Sequence, residues 1–176
     1  MEYQKNNIAV LICGPPAAGK STISLELANE LKKRGKNVYY LSGDNIANIV
    51  FKRTITDESL DWKYNCIFNI IANFKKENTI VIFDDILCRN IDAEMIENCF
   101  CINKWKVYKF KIHAPLRTLI IRNLLRSRNL STSSKRIELY YKKINYSFSN
   151  SFNINTKKTS VKNCVKKIME FFINEL

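Results

Sequence analysis

The chain of 176 residues has one histidine, His113, and its six cysteines contain no Cys-x-x-Cys pair. A zinc centre built from clustered Cys and His is thereby excluded. The thiols read instead as reduced residues of a reducing compartment. No apolar run approaches the ~18 residues that cross a bilayer. Met1 to Lys5 lacks the apolar segment of a secretory leader, so the expected location is cytoplasmic, without membrane partners. Acidic residues are scarce: 16 Asp and Glu stand against 29 Lys and Arg, a formal charge of +13. That imbalance favours anionic partners such as nucleotides, phosphorylated metabolites or nucleic acid. A composition biased toward Lys, Asn and Ile gives the same excess without function. Glycine is also rare, with four in the whole chain, and two of the four fall in one short stretch.

That stretch is Gly14-Pro15-Pro16-Ala17-Ala18-Gly19-Lys20-Ser21, followed by Thr22. It fits G-x-x-x-x-G-K-[ST], the phosphate-binding loop. The apolar run Ile8 to Cys13 precedes it, and residues 21–31 follow with apolar positions at helical spacing. Strand, glycine turn and helix N-terminus are the context this motif requires. Glycines let backbone N–H groups face one concavity, and the helix adds its positive end. Lys20 supplies an ammonium for the β- and γ-phosphates of ATP, and Ser21 a hydroxyl for Mg²⁺. Gly14 to Thr22 are therefore the expected nucleotide-binding residues.

Strand-like runs at 8–13, 37–41, 79–83, 106–112 and 152–155 alternate with helical patterns near 20–34, 45–52, 58–76, 92–100, 115–127, 135–146 and 159–174. Such alternation predicts an α/β fold with a parallel sheet. Length fits one domain over 1–176. Gly35 is placed to end the first helix, Asp92 to cap the fourth, and Pro115 to open the fifth. The polar stretch 126–136 reads as a mobile lid.

Three further groups can carry chemistry. Asp44 lies just past the second strand, where ligands bind in parallel sheets. It can accept the proton of an acceptor hydroxyl, contribute to the Mg²⁺ shell, or simply cap the next helix. Asp84 and Asp85 follow the third strand; Asp84 can hold Mg²⁺ through water, or both can be turn residues. Arg122, Arg126 and Arg128, with Arg117 a weaker candidate, can close over a transferring phosphoryl group or form a solvated basic face. Thr156 and Lys157, after the last strand, can border the base, and Thr159 can cap the final helix. His113, Trp62, Trp105, Tyr140 and Tyr141 read as structural. Lys52, Arg53 and Lys63 are basic candidates for acceptor binding.

Together, Gly14 to Thr22, Val38 to Asn45 and Ile154-Asn155-Thr156 resemble the small P-loop kinases, and among them the adenylylsulphate kinases. The resemblance implies a five-stranded parallel sheet in the order 2-3-1-4-5 with helices on both faces. It also implies ATP with Mg²⁺, and phosphoryl transfer to a small anionic or nucleotide-linked acceptor. Three positions depart from the family: Ser42 replaces an aspartate, Ala47 an arginine, and 57–65 contains no arginine. Asp84-Asp85, and Ala114-Pro115-Leu116 leading to Arg122-Asn123, look more like kinases acting on chloramphenicol or aminoacyl-tRNA. An RNA-directed kinase is thus the alternative, and a nucleotide-binding switch without transfer a further one. A homodimer is compatible with each.

Overall fold

A computed structural model describes residues 7–50, 57–74, 77–87, 89–127, 131–144 and 150–175. Five parallel strands form one sheet: β1 (Ile8–Cys13), β2 (Asn37–Ser42), β3 (Thr79–Asp85), β4 (Lys106–His113) and β5 (Phe152–Asn155). Their order is β2-β3-β1-β4-β5, as expected. Every residue of β1 is buried, because a central parallel strand is covered on both faces and therefore reads as a continuous apolar run.

The helices are α1 (Lys20–Lys33), α2 (Gly43–Val50), α3 (Asp57–Ala72), α4 (Asn90–Ile102), α5 (Leu116–Leu124), α6 (Ser134–Ile144) and α7 (Val161–Glu170). Alternation along β1 divides the core in two. Ile8, Val10 and Ile12 pack with α1, α5, α6 and α7 on one face. Ala9, Leu11 and Cys13 pack with α3 and α4 on the other, through Ile67, Ile71, Ile96 and Phe100. Fully burying each such side chain stabilises the fold by about 1.5–3 kcal/mol.

Several element ends differ from the sequence expectation. Helix α2 begins at Gly43, not residue 45, and Ser42 accepts the Asn45 N–H at 3.4 Å. The cap there is Ser42, while Asp44 lies within the first turn. Asp92 also lies inside its helix: α4 begins at Asn90, and the buried Asp92 carboxylate pairs with Arg89 at 2.6 Å. Helix α7 is capped by Ser160, which accepts the Asn163 N–H at 3.3 Å, and not by Thr159. Gly35 does end α1, in the left-handed region at φ 73°. Its N–H bonds Lys32 O at 2.9 Å and the next bonds Leu31 O at 3.1 Å, satisfying the last carbonyls.

All strands run the same way, so their C-terminal ends share one edge. Register places Ser42 opposite Asp84, Cys13 opposite Asp85, and His113 opposite Asn155. The candidate residues of five separate segments therefore converge there.

Candidate phosphoryl-transfer site

The loop between β1 and α1 is shaped by close approach. A Cβ on Gly14 would run into the Ile112 carbonyl of neighbouring β4, so only glycine lets the loop leave the sheet there. Ala17 (φ 64°) and Gly19 (φ 98°) are both left-handed. For Ala17 this costs about 1–2 kcal/mol, and such strain concentrates at functional sites. Gly19 caps α1 without any side-chain hydrogen bond. The first amides of α1 thus have no side-chain acceptor and suit an anion. Lys20 is 7% exposed and its Nζ rests on the Pro15 carbonyl at 3.3 Å. That single hydrogen bond to a neutral acceptor is readily exchanged for a phosphate oxygen.

Beside the loop lies a corner of oxygen donors. The Asp84 carboxylate accepts from Tyr40 Oη at 3.1 Å, and the neighbouring Ser21 hydroxyl also favours its charged form. Burial raises the Asp84 pKa above the usual carboxylate range; Ser21, Lys20 and Tyr40 oppose the shift, and the charge of Asp44 adds to it. Burial and the Asp84 charge push the Tyr40 phenol up to about 12. Asp44 is exposed, so this corner opens to solvent through it. Hydroxyl and carboxylate oxygens are hard ligands of the type Mg²⁺ takes while keeping several waters. Ser21 and Asp84, with Asp44 facing them, fit that ion beside bound phosphates.

Asp85 points the other way. Its carboxylate accepts from Lys63 Nζ at 2.6 Å, Tyr64 Oη at 2.9 Å and the Ile86 N–H at 2.7 Å. Gly43 packs so tightly on this carboxylate that a Cβ would collide with it. Lys63, expected to bind acceptor, is instead buried in this ion pair.

On the opposite flank, a cleft of about 240 Å³ is lined by Ala18, Gly19, Thr22, Arg122, Arg126 and Thr156, among others. Arg122 donates to Thr156 Oγ1 at 2.8 Å and to its carbonyl at 2.9 Å. Thr156 Oγ1 passes a hydrogen bond to the Ala18 carbonyl at 2.9 Å, and its N–H bonds His113 O at 2.9 Å. Arg122 therefore braces the loop after β5 against the phosphate loop. Arg126 is exposed at the cleft rim, Lys157 is exposed one residue beyond Thr156, and Arg117 is exposed on α5. His113 is half-buried; burial and Lys111 lower its pKa, which keeps the ring neutral.

A model of the adenylylsulphate kinase family matches residues 6–118. The chain belongs to that family. Nucleotide-dependent phosphoryl transfer on a P-loop fold is the chemistry this family carries. Two solved structures share the fold over nearly the whole chain. One is APE1195, with 20% identity, a TM-score of 0.77 and 97% of each chain covered. The other is the Mycobacterium tuberculosis APS kinase CysC in complex with AMPPNP and APS. It has 12% identity and a TM-score of 0.73, covering 96% of this chain and 98% of that one. A curated relative, the DNA repair protein RadA of Campylobacter jejuni, is 36% identical over 83 residues, covering 44% of this chain but only 19% of RadA.

Within this family member, structure gathers Lys20, Ser21, Asp44 and Asp84 on one flank of the loop and Thr22, Arg122, Arg126 and Thr156 on the other. Lys52, Arg53 and Arg128 lie outside the described residues. The lid expectation for 126–136 is narrowed, since α6 begins at Ser134. Asn123 also holds Thr132 by two hydrogen bonds, at 2.7 and 3.0 Å. Trp105 packs against Phe100 at 5.2 Å in the core, but Trp62 is half-exposed. Tyr40 is the residue that sequence reasoning missed. Its signal was period-two alternation, which puts Tyr40 and Ser42 on one face of β2.

Proposed function

We propose that this chain is an Mg·ATP-dependent kinase that phosphorylates a hydroxyl of a small anionic, nucleotide-linked acceptor. The observation that supports this most is the solvent-facing Asp44 beside the buried Asp84 and the exposed Ser21, one step from a phosphate loop whose helix lacks a side-chain cap. A nucleotide-binding switch has no use for an exposed carboxylate there; an acceptor hydroxyl does. Phosphates in the loop take Lys20 Nζ from the Pro15 carbonyl and gain a cation at the transferring group. Bound beside Ser21 and Asp84, Mg²⁺ supplies charge neutralisation to the phosphate oxygens. Asp44 orients the acceptor hydroxyl and accepts its proton as the new O–P bond forms and the bond to ADP breaks. Arg126, at the rim of the far cleft, adds positive charge over the nucleotide.

Position 47 is a buried alanine, and 57–65 offers no arginine, so an acceptor other than adenylylsulphate suits this site better. The test is a mass-spectrometric screen for ATP-dependent products across nucleotide-linked hydroxyl compounds, adenylylsulphate included. Asp44→Asn keeps the shape of the side chain but not its basicity. It is expected to retain ATP binding and lose most product. Loss of ATP binding with unchanged turnover per bound nucleotide would reassign Asp44 to the nucleotide or metal.

A further inference from the structure

The charge of +13 is not spread evenly. Residues 1–103 hold twelve Lys and Arg against thirteen Asp and Glu, whereas residues 104–176 hold seventeen against three. Folding turns this into two opposed faces. Helices α2, α3 and α4, on one side of the sheet, carry one basic residue and seven acidic ones. Helices α1, α5, α6 and α7, on the other, carry twelve basic residues and four acidic ones, nine of the basic and two of the acidic on α5, α6 and α7. A biased composition raises lysine in every segment alike and does not produce that polarity.

The basic face is larger than a small acceptor can use. Helices of ten and eleven residues extend about 15 Å each, and Lys142, Lys143, Lys166 and Lys167 are all exposed along them. Most of their apolar residues are consumed in the core, through Ile137 and Ile144 of α6 and Cys164, Val165, Ile168 and Met169 of α7, with Leu139 and Val161 as the exposed exceptions. A membrane-surface helix needs that side free. Tyr140 stands half-exposed among the charges of α6, with the Arg136 guanidinium 5.5 Å from its ring centroid. A phosphate-tracking basic surface interleaved with an aromatic ring is the recognition chemistry of single-stranded nucleic acid, and an acidic protein does not call for the ring.

We propose that the outer face of α5, α6 and α7 docks single-stranded RNA, with phosphates on the four lysines and a base on Tyr140. The strand then runs toward Arg126 and the phosphate cleft. The docking does not depend on the kinase reading above; where the acceptor hydroxyl is carried on that RNA, the RNA replaces the small acceptor proposed there.

The experiment is fluorescence anisotropy with a labelled oligouridine of about 20 nucleotides, titrated upward in salt from about 50 mM. Wild-type protein is expected to bind, with log K falling against log salt by about 0.7 for each phosphate neutralised. The variant K142Q/K143Q/K166Q/K167Q should bind at least about tenfold more weakly and lose up to about 3 from that slope. Tyr140→Ala should weaken binding roughly tenfold with little change of slope. Both variants should bind a fluorescent ATP analogue like wild type, which shows that the fold is intact. Absence of RNA binding at low salt, or equal binding by the quadruple variant, overturns the docking surface. Equal affinity for polyglutamate or for phosphatidylserine vesicles overturns RNA as its partner. Transfer of labelled γ-phosphate into RNA supports the acceptor clause. Transfer only to a small compound overturns that clause and leaves the docking. RNA binding without turnover of any acceptor overturns the kinase reading alone.

Discussion

Asp84 and Asp85 are adjacent, equally buried and on one strand, yet they face opposite sides of the sheet. Asp84 shares the side of Ile80 and Ile82 and meets Ser21, Tyr40 and the field of Lys20. Asp85 shares the side of Val81 and Phe83 and meets Lys63 and Tyr64 of α3. Asp85 is saturated: one ammonium, one phenol and one amide satisfy it. Among the described residues Asp84 accepts from Tyr40, has the Ser21 hydroxyl beside it and makes no salt bridge, and burial raises its pKa. A carboxylate kept buried without a full counter-charge is poised for a cation from outside; one already paired is part of the scaffold. The strand's period of two makes that division.

The comparison is tested hardest at the phosphate loop. Lys20→Ala removes the buried cation on the Asp84 side and should lower phosphoryl transfer by at least about a hundredfold with the fold retained. Near wild-type turnover would remove the functional reading of that flank. The matched pair comes next. Asp85→Asn leaves Lys63 buried and unpaired, which should cost about 3–5 kcal/mol in chemical denaturation. Asp84→Asn should leave the melting temperature of the nucleotide-free protein no lower than wild type, yet reduce turnover on the order of a hundredfold. The sign follows from linkage. The folded pKa of Asp84 lies above its unfolded value, so stability is fully present below the unfolded pKa, near 3.8. It is lost as pH rises through the folded pKa. Wild type should therefore lose stability over that window relative to Asp84→Asn in pH-dependent melting. If both asparagine variants behave alike, the division between the two carboxylates is wrong.

Most of the scaffold was legible in sequence. The phosphate loop carries its own context of strand, glycine turn and helix, and the alternation of elements predicts the parallel sheet. Helix ends were less legible, because Asp44, Asp92 and Thr159 are all good caps by type, and the cap positions fall instead on Ser42, Arg89 and Ser160, one to three residues away. Lys63 looked like an acceptor ligand because a lysine near a substrate edge is cheap to solvate. Its burial against Asp85, 22 positions away, is set by how α3 packs and has no local signature. The brace from Arg122 through Thr156 to Ala18 spans 138 positions. A list of arginines shows only that some positive charge is available.

The smallest and sharpest test uses two tyrosines. Each donates its phenol to one of the two aspartates: Tyr40 to Asp84 at 3.1 Å, Tyr64 to Asp85 at 2.9 Å. Tyr64 is buried, so Tyr64→Phe removes a donor from a carboxylate that water cannot reach, and should cost about 1–3 kcal/mol of stability. Turnover at a temperature where the variant is folded should stay near wild type, because Lys63 still holds Asp85 away from the phosphate side. Tyr40 is half-exposed, and water can replace its phenol in part, so Tyr40→Phe should change stability by no more than about 0.5–1.5 kcal/mol. Its effect belongs in the pH profile. The Tyr40 bond favours the ionised form of Asp84; without it the Asp84 pKa rises further, and the acid limb of kcat/KM for ATP should move to higher pH. A Tyr40→Phe enzyme with an unshifted acid limb, beside a Tyr64→Phe enzyme that shifts it, would exchange the roles assigned to the two carboxylates.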